Sequence, residues 1–437
     1  QPIHPLNPQV SPKRGSRKDM SSTQTLRCRE CSRTYPLEPK HICEFDFGPL
    51  EIQFDYKAIS KTISRESISE RPPTLWRYHE LLPVDGGWDE TWPVGFTPLQ
   101  RAKNLGDRLG LSNLYIKNDT VNPTYSFKDR VVAVAITKAR QFGFETFACA
   151  STGNLAGAVS AAGARHGMPS YVFMPADLEV GKIRGAAVYG AHIVAVDGTY
   201  DELNRLCSEI AAEYDWAFCN INIRPYYAEG SKTLAFESVE QLGWQAPDHI
   251  VAPIASGSLY TKVGKAMREL VDVGLIERQA TRVHGAQAAG CGPVAEAFSR
   301  GQMTYRPVRT PSTVAKSLAI GNPADGFYSL KLAKEVDGII ESVTDDEIIA
   351  GMQLLASTEG VFAETAAGVT IAVLVKLAER GVIDRDDVTV ALVTGNGLKT
   401  QEAVDNHVND RIEIQPSIAS FQENLAERGV LTPAEAV

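Results

Sequence analysis

The 437-residue chain is 43% apolar and 22% charged, with a formal net charge of −9. That balance fits a globular protein with a sizeable core, and it excludes a surface built for nucleic acid or for an anionic membrane. No apolar run reaches the roughly 18 residues of a bilayer span, and small metabolites are the expected partners.

Residues 1–19, with "SPKRGSRKD", are basic and polar without a hydrophobic segment and read as a disordered tail ahead of Met20 rather than as a secretory signal or a transit peptide, with the tail expected to run to residue 25. A small ribbon-like module is expected over residues 26–56. Its "CREC" and "HIC" segments (Cys28, Cys31, Cys43) begin like a zinc ribbon, but where a second CxxC would close the site Cys43 is followed by Asp46. Either His41 or Asp46 could complete four ligands, and a metal-free remnant of a ribbon is the competing reading; no metal is expected among the residues that carry the chemistry. "GPLEIQFDY" alternates as a strand does, and the polar, Pro-rich, aromatic stretch over 57–93 reads as an arm.

From about Val94 short β-branched runs alternate with helical stretches: "NLYIK", "TFACA", "SYVFMP", "HIVAV", "HIVAPI" and "RVHGAQ" are predicted strands, each followed by a helical pattern, and "VTVALV" is the last strand. Such alternation implies α/β architecture with parallel-rich sheets covered by helices on both faces. Residues 401–437 read as a C-terminal arm. Cys149, Cys207, Cys219 and Cys291 lie in apolar segments of the catalytic region, as buried thiols in a reducing cytoplasm would.

Three Gly-containing turns follow predicted strands: "ASTGN" (150–154), "IASGSLY" (254–260) and "TGNGLK" (394–399). Backbone N–H groups at such helix starts can hold an anion, yet none of the three carries a dinucleotide or P-loop fingerprint. A fourth segment, "NPTYSFKDR" (122–130), sets Lys128 at the opening of an apolar helix, with Thr124 or Ser126 as predicted cap and Asp129 at the positive helix end. Alone, each is an ordinary turn.

Together and in this order, with "RPYYAEGSKTLAFE" (224–237), "SLAIGNPAD" (317–325) and "TEGVFAETAAG" (358–368), they resemble the fold-type II pyridoxal-phosphate enzymes, and within these the threonine synthases. The resemblance runs from about 92 to 400. It implies a tryptophan synthase β-like fold of two lobes, a large one near 94–130 and 240–400 and a small one near 131–239. It implies that Lys128 anchors pyridoxal 5'-phosphate covalently and serves as base, that Ala255, Ser256, Gly257, Ser258 and Leu259 wrap the cofactor phosphate, that Asn154 bonds the pyridine 3'-oxygen, and that Thr394 faces the ring nitrogen. Ser151 and Thr152 are implied to take the substrate carboxylate. A threonine at the ring nitrogen is not an acidic partner, so the ring is expected to stay largely unprotonated. The implied reaction converts O-phospho-L-homoserine and water to L-threonine and phosphate, in a cytoplasmic homodimer.

The sequence departs from the family where the substrate phosphate should be held. Many threonine synthases carry an "NPxRxEGQKT"-like stretch; here it reads "RPYYAEGSKT", with Tyr227 in place of the family arginine and Arg224 three residues upstream. Arg224 is expected to act as a relocated clamp, with Lys232 a lesser candidate. Competing functions are a cysteate-synthase-like replacement on another O-phospho amino acid, a threonine/serine dehydratase, and a non-catalytic cofactor-binding protein. Glu364 reads equally as a residue near the cofactor and as an ordinary helix N-terminal acid.

Overall fold

The computed structural model describes residues 24–427 apart from 152, 177–179, 199, 406 and 408–411. The expectation of a disordered tail lies almost wholly outside the described residues, and Thr152 lies outside them too. The strands are β1 (Gln24–Cys28), β2 (Thr34–Tyr35), β3 (Leu50–Phe54), β4 (Leu99–Arg101), β5 (Asn113–Asn118), β6 (Thr146–Ala150), β7 (Ser170–Pro175), β8 (His192–Val196), β9 (Trp216–Phe218), β10 (His249–Pro253), β11 (Arg282–Ala288), β12 (Ile340–Val343) and β13 (Val388–Val393).

Three sheets result. A small antiparallel sheet has the order β2-β1-β3, a four-stranded parallel sheet β8-β7-β6-β9, and a six-stranded sheet β12-β11-β10-β13-β5-β4, parallel except for β4. The central strands are buried along their whole length, as in β10 and nearly all of β13, because helices cover both faces of a parallel sheet. The helix Thr365–Glu379, buried from Thr365 through Leu374, covers one face. The helix Ser258–Asp272 packs elsewhere against the sheet, through Leu259, Val263 and Ala266 among others.

Strand order explains the position of the site. β10, β13 and β5 are adjacent, so the loops at their carboxyl ends, 254–258, 394–397 and 119–127, emerge side by side. The loop after β6 joins them from the other sheet. An α/β crevice of this kind, at the carboxyl ends of parallel strands, is where ligands bind. The helix Lys128–Gln141, buried continuously from Asp129 to Ala139, leads away from that crevice.

No helix of the described residues is long and apolar enough to cross a membrane. Cys149, Cys207, Cys219 and Cys291 are free and buried. Beyond Thr400, the helix Ile418–Glu427 is described.

Candidate active site

Lys128 is the first residue of its helix. The N-cap is Phe127, without a side-chain cap bond, rather than Thr124 or Ser126; the Ser126 hydroxyl accepts from the Lys128 amide at 3.4 Å, and the buried Asp129 reaches back to accept from the Thr124 amide and hydroxyl, both at 2.7 Å. Burial lifts the Asp129 carboxyl to about 6, with the Thr124 contacts opposing. The turn before the helix is welded to its neighbours. The Phe127 amide donates to Thr394 O at 2.9 Å, Asn396 N to Tyr125 O at 3.0 Å, and Glu364 N to Gly395 O at 2.9 Å.

Three motif segments far apart in sequence therefore share one backbone network. The half-buried Lys128 amine donates to the Tyr227 hydroxyl at 3.1 Å and lies 4.4 Å from the centre of the Phe127 ring. Burial brings its pKa down to about 8, with the electrostatic influence of the neighbouring Cys219 and Glu364 side chains pulling the other way. An amine with that pKa keeps a substantial neutral fraction near neutrality, as a nucleophile and proton acceptor must.

Asn154 and Thr394 converge on Glu364. Asn154 Nδ2 donates to Glu364 Oε2 at 2.7 Å, and the Thr394 hydroxyl donates to Oε1 at 3.3 Å. Glu364 is buried at the N-cap of the helix Thr365–Glu379, and burial raises its pKa against those two contacts. It is thus both a helix-start acid and a member of the site. A side chain at position 395 would strike its carboxylate at 2.5 Å, so Gly395 lets the two loops close.

The 255–259 turn has the form of an anion cradle. Gly257 takes φ +89°, and a Cβ there would meet Ser329 Oγ at 2.6 Å, so only glycine fits both the backbone and the space. The helix Ser258–Asp272 starts directly after it. Among the described residues the amides of Ser256, Gly257 and Ser258 donate to no protein acceptor, which leaves a ring of N–H groups at a positive helix end. Ala255 and Ser258 are partly exposed, whereas Leu259 turns into the core.

Arg224 begins the helix Arg224–Glu229 and pairs with Asp325 at 2.5 Å, while Arg29 of the N-terminal module pairs with the other Asp325 oxygen at 2.8 Å. Two guanidiniums share one carboxylate, leaving surplus positive charge. The Asp325 amide donates to Ser256 O at 2.8 Å, so this cluster stands directly against the cradle. Ser258, Arg224, Arg29, His41, Lys262 and Asp325 line one small cavity of about 30 Å³.

Lys232 lies elsewhere. Its fully buried ammonium is held by Glu229 and Glu269 at 2.7 Å each and by Leu81 O at 2.7 Å, so it is committed to a core ion cluster. Ser151 is buried at the end of β6, its hydroxyl accepting from Gly153 N at 3.3 Å. The site residue the sequence reading left out is Tyr227, which faces Lys128. Its signal was its position at the departed arginine of the family pattern.

These groups suit pyridoxal phosphate: a half-buried amine of lowered pKa, unpartnered amides for a phosphate, and an amide and a hydroxyl converging in the same crevice. Residues 91–395 match the family described as pyridoxal-phosphate dependent enzyme, and the chain is accordingly an enzyme of that class. Two solved structures share its fold: processed threonine deaminase isoform 2 of Solanum lycopersicum (TM-score 0.60, 22% identity, covering 71% of this chain and 83% of that one) and maize serine racemase (TM-score 0.59, 19% identity, 71% and 91%).

Two curated relatives are nearer in sequence, both named threonine synthase. That of Methanocaldococcus jannaschii is 38% identical over 407 residues, 92% of this chain and 99% of that protein, and that of Methanosarcina acetivorans is 35% identical over 400 residues, 91% and 98%. The chain belongs to the threonine synthase family.

Proposed function

We propose that the protein converts O-phospho-L-homoserine and water to L-threonine and inorganic phosphate. The carrying observation is the Lys128 amine, half-buried at the meeting point of four loops, with a phenol rather than a carboxylate as its hydrogen-bond partner. Pyridoxal phosphate, held through Lys128, supplies the electron sink that acidifies the substrate's Cα and Cβ protons.

The chain's own residues do the rest. Lys128 takes a proton from Cα and another from Cβ, phosphate departs from Cγ, a proton is returned to Cγ, the hydroxyl of water adds at Cβ while its other proton goes to the base, and a last proton is returned to Cα; a flexible amine of pKa about 8 can serve each transfer. The Ser256, Gly257 and Ser258 amides hold the cofactor phosphate, with Ala255 and Leu259 shaping the turn. Asn154 and Thr394 orient the ring, and Glu364 fixes both. Ser151 and Thr152 receive the substrate carboxylate. Arg224 contributes cationic character for a phosphate beside Ser258, and the Tyr227 hydroxyl aims the Lys128 amine. A homodimer in the cytoplasm completes the reading.

The test is phosphate release from O-phosphohomoserine against O-phosphoserine, with the amino-acid product identified. Threonine formed from the first and no turnover of the second supports the proposal. Turnover of O-phosphoserine alone would replace it with a different O-phospho amino acid as substrate, the reading that Tyr227 at the departed position favours.

A further inference from the structure

The N-terminal module carries two turns of the same build. In the first, Cys28 N donates to Arg33 O at 2.8 Å, Ser32 N to Cys28 O at 3.1 Å, and Ser32 takes φ 63°. In the second, Cys43 N donates to Gly48 O at 2.8 Å, Phe47 N to Cys43 O at 3.1 Å, and Phe47 takes φ 58°. Residue by residue, C-R-E-C over 28–31 overlays C-E-F-D over 43–46, so Asp46 occupies the place of a fourth cysteine.

Cys28, Cys31, Cys43 and Asp46 bring one ligand atom each to within 4.8 Å of one another. The edges decide what could sit between them. Tetrahedral zinc with Zn–S of about 2.3 Å and Zn–O of about 2.0 Å has S···S edges of about 3.8 Å and S···O edges of about 3.5 Å. Here Cys31 Sγ and Cys43 Sγ are 3.7 Å apart, and Cys28 Sγ lies 3.3 and 3.6 Å from the Asp46 oxygens. A disulfide would need about 2.05 Å.

The surroundings suit ligand atoms bearing negative charge. Glu30 N donates to Cys28 Sγ at 3.4 Å, Phe45 N to Cys43 Sγ at 3.5 Å, and Gly48 N to Asp46 Oδ1 at 2.9 Å, while the Tyr35 hydroxyl lies 3.0 Å from Cys43 Sγ. Such outer contacts orient metal ligands. A Cβ at Gly48 would intrude to 2.9 Å from Cys28 Sγ, so glycine keeps the centre of the set clear.

We propose that Cys28, Cys31, Cys43 and Asp46 form a closed, structural zinc site. His41 is not a ligand; it lines the cavity beside Arg224. The first turn also carries Arg29, whose guanidinium sits 3.4 Å over the Tyr328 ring and pairs with Asp325, and Glu30, which accepts from the Tyr328 hydroxyl. Closing the turn around zinc therefore fixes the clamp that braces the 255–259 cradle.

The full chain, purified reduced and without chelator, should hold about one zinc per chain by elemental analysis. Exchange for cobalt should give thiolate-to-cobalt charge-transfer absorption. Asp46→Cys should retain the metal and release it to a chelator more slowly than wild type; Asp46→Ala should release it at least about tenfold faster, and His41→Ala should leave release unchanged. The Cys31→Ser/Cys43→Ser pair should abolish uptake, and because it could also unfold the module, the Asp46 series carries the decision. Zinc below about a tenth of an equivalent with no cobalt bands on titration, iron in its place, a Cys31–Cys43 disulfide in the native peptide map, or loss of metal in His41→Ala equal to that in Asp46→Ala would each overturn the assignment.

Discussion

Two cations stand two residues apart at the start of one helix, and they have opposite surroundings. Arg130 is fully buried and fully paired: it binds Asp119 at 2.6 and 2.8 Å, Glu237 at 2.8 Å and through a second shorter contact, and Thr233 at 3.0 Å. Lys117 joins from β5, 2.7 Å from Glu237. Burial opposes ionisation of Glu237, but Arg130 and Lys117 together hold its carboxyl down at about 2. Lys128 has a phenol and a ring face instead, and burial wins there. The same buried position makes a structural pin where carboxylates answer the charge, and a reactive amine where they do not.

The sharpest break of that comparison is Lys128→Ala. Turnover should fall by at least about a thousandfold, since one base serves every proton transfer, while circular dichroism holds and the unfolding midpoint does not fall. Arg130→Met should do the reverse. It leaves the buried Asp119 without its guanidinium and Glu237 with Lys117 alone, and the chain should lose roughly 3–5 kcal/mol by urea unfolding. An Arg130→Met protein of unchanged stability would mean that the two lysine-side regions do not differ as described.

A smaller effect separates the cofactor's phosphate from the substrate's. Arg224→Ala and Arg224→Lys should each lower kcat/KM for O-phosphohomoserine by about tenfold, because a planar charge-assisted contact is worth roughly 1.5–3 kcal/mol and lysine replaces it poorly. An unchanged cofactor spectrum and unchanged retention on dialysis would assign Arg224 to the substrate. Faster cofactor loss with unchanged KM would assign it to the cradle that Asp325 braces.

Much of this was legible in sequence because local pattern and global fold agree. β5 to β8, β10, β11 and β13 coincide with their predicted runs; most of them are buried on both faces and read as continuous apolar stretches, while β8, with no fully buried residue, was legible from its β-branched run alone. β1, β2, β4, β9 and β12 were not read as strands. β4 and β9 are three residues long, and β12, an edge strand of four, carries Glu341, so pairing with a neighbour rather than pattern defines them. The four motif loops were found for the same reason the strands were. The direction of Arg224 was not, because it is set by Asp325 and by Arg29, remote in sequence; nor was the commitment of Lys232 to Glu229 and Glu269. Long-range charge pairing leaves no periodic trace.

The smallest effect tests the Lys128 half of the comparison through stability alone. The Lys128 amine has a pKa of about 8 in the folded chain against 10.5 for an ordinary lysine. Below pH about 8 both states carry the proton, and the folded state bears the full cost of a charge that burial disfavours. Between about 8 and 10.5 the unfolded chain holds a proton that the folded chain has released. Stability rises with pH wherever the unfolded state binds more protons, so this contribution improves across that window and is complete above it. Lys128→Met has no such proton. Cofactor-free wild type should therefore be less stable than cofactor-free Lys128→Met at pH 7, with the gap narrowing steadily between pH 8 and 10.5 in urea titrations. A gap independent of pH would mean that the amine is not held in a site that lowers its pKa, and that its reactivity must come from the bound cofactor instead.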